Sequence, residues 1–186
     1  MFDADGFYRP HILVVGGAYG GLSVVTNVLN LMAGNAQLTS QLPPPPLGCS
    51  IQTPPRVTIL DERDGIYHTM GSPLVCASES FASEAWRKFD EIPLINRHNV
   101  RSIQGRASAI DMSSRIATYQ ENSSGPVKQI SYDYLVVATG TQRSWPVVPR
   151  ALNRSGFLRD IQDHTSSIRD AKRAVVVGGG VYLALR

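Results

Sequence analysis

Cysteine is scarce in this chain of 186 residues, which contains only Cys49 and Cys76. Two cysteines this far apart form neither a disulfide framework nor the close pair of a redox-active disulfide or metal site. No stretch approaches the roughly 18 apolar residues of a membrane span, and the first ten residues do not resemble a secretory signal. The sequence therefore predicts a cytoplasmic protein with reduced thiols and no transmembrane segment.

Runs of like charge are also absent, although the formal net charge is +3 and the isoelectric point is about 9.0. The basic residues are scattered, and their longest run is Lys172-Arg173. A nucleic-acid-binding surface needs clustered basic residues, so this distribution predicts no nucleic-acid partner. The four histidines show no metal-ligand spacing, and no metal site is predicted.

Glycine, by contrast, is concentrated at two points, each directly after a short β-branched run. Residues 12–15 lead into a glycine-rich turn at 16–21, and residues 175–177 lead into glycines at 178–180. After the first turn the apolar residues recur at helical spacing, which predicts a strand, a turn and a helix. Such a turn can set a diphosphate against backbone N–H groups at a helix N-terminus. A purely structural strand-to-helix bend is the alternative.

The first turn departs from the dinucleotide-binding pattern G-x-G-x-x-G at one position. Its closest register is Gly16-x-Ala18-x-x-Gly21, with alanine where a glycine normally lets the backbone approach the diphosphate. A second strand is predicted at 56–60 and ends at Asp61, which is 40 residues beyond the turn instead of about 20. A proline-rich surface insertion at 37–55 explains the excess. The alternative is that Asp61 and Asp64 are solvated turn residues.

The remaining pattern predicts elements of both kinds. We expect a helix over 78–92, a β-hairpin or meander over 101–119, and a buried strand that ends in a small-residue turn at 135–140. A further helix is expected over 161–171 and a last strand over 173–177.

Four segments, 12–21, 57–64, 132–140 and 175–180, resemble the pyridine-nucleotide, FAD-dependent oxidoreductases. Within them the chain is most similar to the apoptosis-inducing-factor-like and ferroptosis-suppressor-like branch. The resemblance implies an α/β fold: a Rossmann-like FAD-binding domain over 9–150 with a parallel sheet and a small antiparallel β-meander. A linker and the incomplete start of an NAD(P)-binding domain would follow over 151–186.

The resemblance also implies which residues would hold FAD. The glycine turn would hold the pyrophosphate and Asp61 the ribose, while Arg63 would lie near the adenosine and the backbone of Ala107 would meet the adenine. The predicted cofactor-binding residues are Gly16, Gly17, Ala18, Tyr19, Gly20, Gly21, Asp61, Arg63, Ala107, Ala138, Thr139 and Gly140. His68 could lie near the flavin ring, but a lone histidine is more often a structural residue. No catalytic residue is assigned.

Disulfide reductases of this superfamily carry a Cys-x4-Cys pair that is missing here. The resemblance therefore points to electron transfer from NAD(P)H through flavin to a small acceptor such as a quinone. The sequence ends at Arg186, soon after its second glycine turn, whereas a βαβ unit needs about 30 residues. We therefore expect a truncated, impaired oxidoreductase whose last strand leaves an apolar edge open to self-association.

The alternative function is a non-enzymatic nucleotide-binding or pseudoenzyme fragment. A flavin monooxygenase would need a completed NADPH domain and an oxygen-reactive flavin pocket, and no pattern in the sequence indicates either.

Overall fold

The computed structural model describes residues 8–33, 53–121, 125–173 and 175. The chain divides into two compact units, each described by itself below. The first unit comprises Met1–Glu62 and Pro93–Thr139, and the second comprises Arg63–Ile92 and Gly140–Arg186. The predicted division into domains at 9–150 and 151–186 stays a prediction.

The described residues contain nine strands and four α-helices. They are β1 (His11–Val15), α1 (Tyr19–Met32), β2 (Arg56–Asp61), β3 (Gly65–Tyr67), α2 (Ser72–Val75), α3 (Glu79–Glu84), β4 (Trp86–Lys88), β5 (Val100–Gln104), β6 (Arg106–Asp111), β7 (Ile116–Gln120), β8 (Val127–Ser131), β9 (Tyr134–Val137) and α4 (Arg154–Asp170). Single 3-10 turns precede α2, at Thr69–Gly71, and follow β4, at Phe89–Glu91.

A four-stranded parallel sheet, in the order β5-β2-β1-β9, forms the centre of the first unit. In the middle of the sheet, Val15 of β1 is in register with Leu60 on one side and Val137 on the other. Strands covered on both faces are continuously apolar, and Leu13 and Val14 are accordingly 0% exposed.

The two faces of this sheet are covered by different elements. Helix α1 buries Val25 and Leu29 and packs Gly21 against the face that Val14 presents. On the other face, the antiparallel meander β6-β7-β8 contributes to one apolar cluster with the sheet. The buried residues of this cluster are Leu13, Val15, Leu60, Ile103, Ala117, Tyr119 and Tyr132. The predicted α/β fold with a parallel sheet and a small meander is confirmed.

The second unit has its own aromatic core. Its antiparallel pair β3 and β4 brings Tyr67 opposite Trp86, and the Trp86 ring stacks on Phe157 of α4 at a centroid distance of 5.4 Å. The Trp86 indole N–H donates to Asp64 Oδ1 at 2.7 Å. Asp64 therefore has a structural role in this unit and is not the solvated turn residue of one sequence hypothesis.

Part of the predicted helix over 78–92 is wrong. Helix α3 begins after Ser78, whose hydroxyl accepts from the Phe81 N–H, but it ends at Glu84. Residues 86–88 form a strand instead, because they pair with β3, some twenty residues earlier in the chain. Among the apolar residues of this segment, Ala85, Trp86 and Phe89 are buried and Phe81 is half-buried, and of these four only Trp86 lies on the strand.

Four further expectations have different outcomes. The predicted hairpin exists between β6 and β7, but residues 100–104 are a strand of the parallel sheet, which the pattern did not indicate. Helix α4 begins seven residues earlier than predicted, at Arg154, where the Asn153 side chain accepts from the Gly156 N–H. The insertion at 37–55 and the last strand at 173–177 fall almost entirely outside the described residues.

Gly21 and Gly20 offer a matched test of how closely α1 approaches β1. A Cβ on Gly21 would lie 1.9 Å from the Gly16 carbonyl oxygen, whereas one on Gly20 would make an ordinary 3.6 Å contact. Gly21→Ala should lower the free energy of unfolding by about 1–3 kcal/mol, as overpacking does. Gly20→Ala should be neutral or stabilising by up to about 1 kcal/mol, because alanine favours helix. Urea unfolding of the two variants, followed by circular dichroism, measures this difference. Equal unfolding midpoints would contradict the close approach of α1 to β1.

A second prediction concerns His11, the first residue of β1, whose side chain is buried. Its Nδ1–H donates to the Ser131 carbonyl oxygen at 2.7 Å, and Nε2 accepts from the Thr58 hydroxyl at 2.8 Å. Burial lowers the pKa of His11 below its ordinary 6.5, despite the opposing Ser131 bond. The unfolded chain therefore binds this proton more readily than the folded one, and stability falls as the pH drops below about 6.5.

The pH dependence can be isolated by substitution. Between pH 7.5 and 5 the wild type should lose stability relative to His11→Gln, with a slope difference below about 1.4 kcal/mol per pH unit, the limit for one proton. His98→Gln, which removes an exposed histidine, serves as the control and should keep the wild-type slope. A His11→Gln profile that parallels the wild type would show that His11 does not titrate differently on folding.

Candidate functional site

The turn between β1 and α1 is held between the ends of two neighbouring strands. The Gly16 N–H donates to the Leu60 carbonyl at 2.9 Å, and the Ala138 N–H donates to the Val15 carbonyl at 2.8 Å. Gly16 has φ +103°, and a Cβ there would lie 2.3 Å from the Ala138 carbonyl oxygen. Gly16 must therefore be glycine for two reasons, its left-handed backbone and the close approach of the residues at 138–139.

Helix α1 begins directly after this turn, at the carboxyl edge of the sheet. Ala18 is the N-cap residue, and the Leu22 N–H donates to its carbonyl at 2.9 Å. The first helical turn contains Gly20 and Gly21 and no acidic residue, and the Ala18 side chain makes no capping hydrogen bond. Because the N–H groups of a first helical turn point out of the helix end, this end favours an anion.

Alanine at the middle position of the glycine pattern causes no backbone strain. Ala18 has φ −88° and ψ −157°, an extended conformation that any residue adopts, and its side chain is exposed. The methyl group that departs from G-x-G-x-x-G therefore lies at the surface and requires no rearrangement of the turn.

Asp61 lies against the same turn. It is the last residue of β2, and its Oδ2 accepts from the Gly17 N–H at 2.6 Å. Its backbone carbonyl accepts from the Gly105 N–H at 2.7 Å. The half-buried carboxylate thus contacts the glycine turn, although the two residues are 44 positions apart. The spacing prediction, corrected for the insertion, placed Asp61 at this edge of the sheet.

Gly105 is a residue of this region to which the sequence analysis assigned no role. A Cβ on Gly105 would lie 3.1 Å from both the Gln120 carbonyl oxygen and the Tyr119 ring. It joins β5, whose residue Gln104 pairs with Asp61, to β6, which contains Ala107, half-buried against the apolar cluster. The signal in the sequence that could have identified Gly105 is a glycine between two segments with a strand pattern.

Two predicted site residues, Arg63 and Gly140, belong to the second unit. The Arg63 guanidinium donates to the Pro149 carbonyl at 3.3 Å. Gly140 has φ +70°, in the left-handed region that favours glycine. The proposed histidine, His68, also lies in this unit, where its ring is 6.1 Å from that of Phe81. The roles of these three residues stay predictions.

The first unit therefore brings together most of the predicted cofactor-binding residues. Those at or beside the carboxyl edge of its sheet are Gly16, Gly17, Ala18, Tyr19, Gly20, Gly21, Asp61, Ala138 and Thr139. Partial burial raises the pKa of the Tyr19 phenol, so the phenol is neutral at ordinary pH and does not repel an anion.

Cys76 is a free, half-buried cysteine. Burial raises the pKa of the Cys76 thiol, which disfavours the reactive thiolate. None of the described helices has the length and apolar character needed to cross a bilayer.

Comparison with curated proteins finds relatives that are considerably longer than this chain. The chain is 38% identical over 177 residues to oxidoreductase OXR1 of Ajellomyces capsulatus, covering 92% of this chain and 38% of that protein. It is 30% identical over 135 residues to sulfide-quinone reductase of Aquifex aeolicus, covering 70% and 24%. It is 23% identical over 174 residues to apoptosis-inducing factor homolog B of Dictyostelium discoideum, covering 92% and 36%.

A family model described as pyridine nucleotide-disulphide oxidoreductase matches residues 10–182. The match begins just before β1 and includes the glycine turn, Asp61 and both compact units, so it covers far more than a common strand-turn-helix bend. The resemblance seen in the sequence is confirmed, and the chain belongs to the pyridine nucleotide-disulphide oxidoreductase family.

Proposed function

We propose that this chain is the FAD-binding part of a flavin-dependent oxidoreductase that passes electrons from NAD(P)H to a small acceptor such as a quinone. The observation that carries the proposal is the position of the Asp61 carboxylate beside the glycine turn, 2.6 Å from the Gly17 nitrogen. If the turn were only a structural strand-to-helix bend, the close approach of neighbouring backbone atoms would be enough to explain why Gly16 and Gly21 are glycines. It does not explain a carboxylate at the end of the adjacent strand.

The arrangement fits the two chemically different parts of a nucleotide cofactor. A diphosphate would lie at the start of α1, where the N–H groups of Gly20 and Gly21 and the helix dipole favour negative charge. The neighbouring carboxylate of Asp61 would accept from ribose hydroxyls. Ala107 on one side and the residues at 138–139 on the other would form the walls. The flavin supplies the redox chemistry when bound, and these residues supply binding and orientation.

The choice of a small acceptor is supported by the relatives and by the cysteines. One relative is named a sulfide-quinone reductase, and Cys49 and Cys76 are too far apart in sequence to form the Cys-x4-Cys pair of disulfide reductases. The chain spans about two fifths or less of the length of the three relatives. Hydride transfer and the acceptor are therefore proposed for the protein to which these residues belong, with no catalytic residue assigned.

Substitution of Gly20 tests the diphosphate position without weakening the fold. A Cβ there has room and lies in the first turn of α1, where an aspartate is favoured by the helix dipole by about 0.3–1 kcal/mol. The same carboxylate would repel a diphosphate. We therefore expect Gly20→Asp to weaken FAD binding at least about tenfold, as two charges a few ångströms apart near a surface imply. The neutral, isosteric Gly20→Asn is the matched control.

The measurement is a titration of the purified chain with FAD, followed by flavin fluorescence, together with thermal melting of each variant. Saturable binding that Gly20→Asp weakens relative to Gly20→Asn, without a lower melting temperature, supports the proposal. Equal FAD affinities of the two variants, or no binding by the wild type, would overturn it. FAD binding without NADH oxidation in the presence of a soluble quinone would favour the non-enzymatic nucleotide-binding alternative for this chain taken alone.

A further inference from the structure

We propose that Asp61 is also a positioning residue that fixes the glycine turn through Gly17, apart from any contact with ribose. This inference rests on the proposed nucleotide site and assigns a second task to one of its residues. The contact that carries it is made by the chain's own atoms: Asp61 Oδ2 accepts from the Gly17 N–H at 2.6 Å.

Both partners of this contact are held in place by the surrounding sheet. Gly17 is buried, directly after Gly16, whose N–H is bound to the Leu60 carbonyl. Asp61 is fixed through its backbone, because its carbonyl accepts from the Gly105 N–H at 2.7 Å. The carboxylate therefore joins the end of β2 to the turn after β1, and it sets the direction of the Gly17 peptide.

The energetic consequence follows from the burial of the donor. Without the carboxylate, the buried Gly17 N–H loses its acceptor, and leaving a buried donor unsatisfied is strongly unfavourable. Gly16 and Gly17 have no side chains to restrain them, so the peptide between them can rotate to recover a hydrogen bond. The turn would then populate conformations that do not bind a diphosphate, and the apparent affinity falls by the fraction of chains in the competent conformation.

Electrostatics alone predicts that removal of the Asp61 carboxylate changes the diphosphate affinity in the opposite direction, and this difference makes the inference testable. Removing a negative charge close to an anion site should tighten diphosphate binding. If Asp61 acted only on ribose, its loss would weaken ligands that carry ribose hydroxyls and would not weaken a ligand without them. If it also positions the turn, both kinds of ligand lose affinity.

The experiment is calorimetric titration of the full chain with two probes, ADP and 2′,3′-dideoxy-ADP. Asp61→Ala should weaken both, the dideoxy probe by roughly tenfold, which corresponds to the loss of about one well-made hydrogen bond. Asp61→Asn keeps a side-chain oxygen that can accept from Gly17. It should therefore bind dideoxy-ADP within about threefold of wild type, and its loss should be confined to ADP. Glu62→Ala removes a neighbouring exposed carboxylate and should not weaken either probe.

The outcomes separate this inference from the proposed function. Suppose that the wild type binds ADP and that Asp61→Ala binds dideoxy-ADP as tightly as the wild type does, or more tightly. That result would overturn the positioning role but not the proposed nucleotide site. Failure of the wild type to bind either probe would overturn the proposed function itself. If Asp61→Ala does not give the wild-type circular dichroism spectrum, Asp61→Ser takes its place. A serine that binds dideoxy-ADP as tightly as the wild type would then contradict the inference.

Discussion

One charged hydrogen bond, from the Gly17 N–H to the Asp61 carboxylate, connects the two parts of the candidate site. It joins strands β1 and β2 at the edge where the helix α1 begins. Parallel strands end at the same edge of a sheet, and ligands of open α/β sheets bind outside that edge. The carboxylate, which accepts hydrogen bonds from hydroxyl groups, is consequently placed next to a helix end that favours an anion. One structural contact therefore brings a group suited to ribose and a group suited to a diphosphate within the length of one nucleotide.

The glycines of the turn depend on the same close packing. Gly16 has no room for a side chain because the backbone at 138–139 approaches it, and Gly21 has none because the Gly16 carbonyl approaches it. These two glycines therefore allow β1, α1 and β9 to pack closely together, and this packing leaves the N-terminal end of α1 open. Ala18 and Gly20 are not crowded by the protein, so substitutions there act on a ligand more than on the fold.

Local patterns in the sequence were sufficient for β1, the glycine turn, α1 and β2, because each is a continuous apolar run or a stripe with a clear boundary. Residues 100–104 were not recognised as a parallel strand, since β5 pairs only with β2 among the described strands and fully buries only Ile103. Trp86 was assigned to a helix because its strand partner lies elsewhere in the chain. The spacing argument placed Asp61 near the turn, but the contact with Gly17 depends on tertiary packing across 44 positions.

The central claim is that a dinucleotide diphosphate lies at the start of α1 and its ribose lies at Asp61. Backbone amide NMR spectra of the chain with and without FAD test this most directly. We expect the amide resonances of Gly17, Gly20 and Gly21 to shift on binding, whereas that of Gly156 at the start of α4 should not. Unchanged resonances for the three turn glycines at saturating FAD would contradict it.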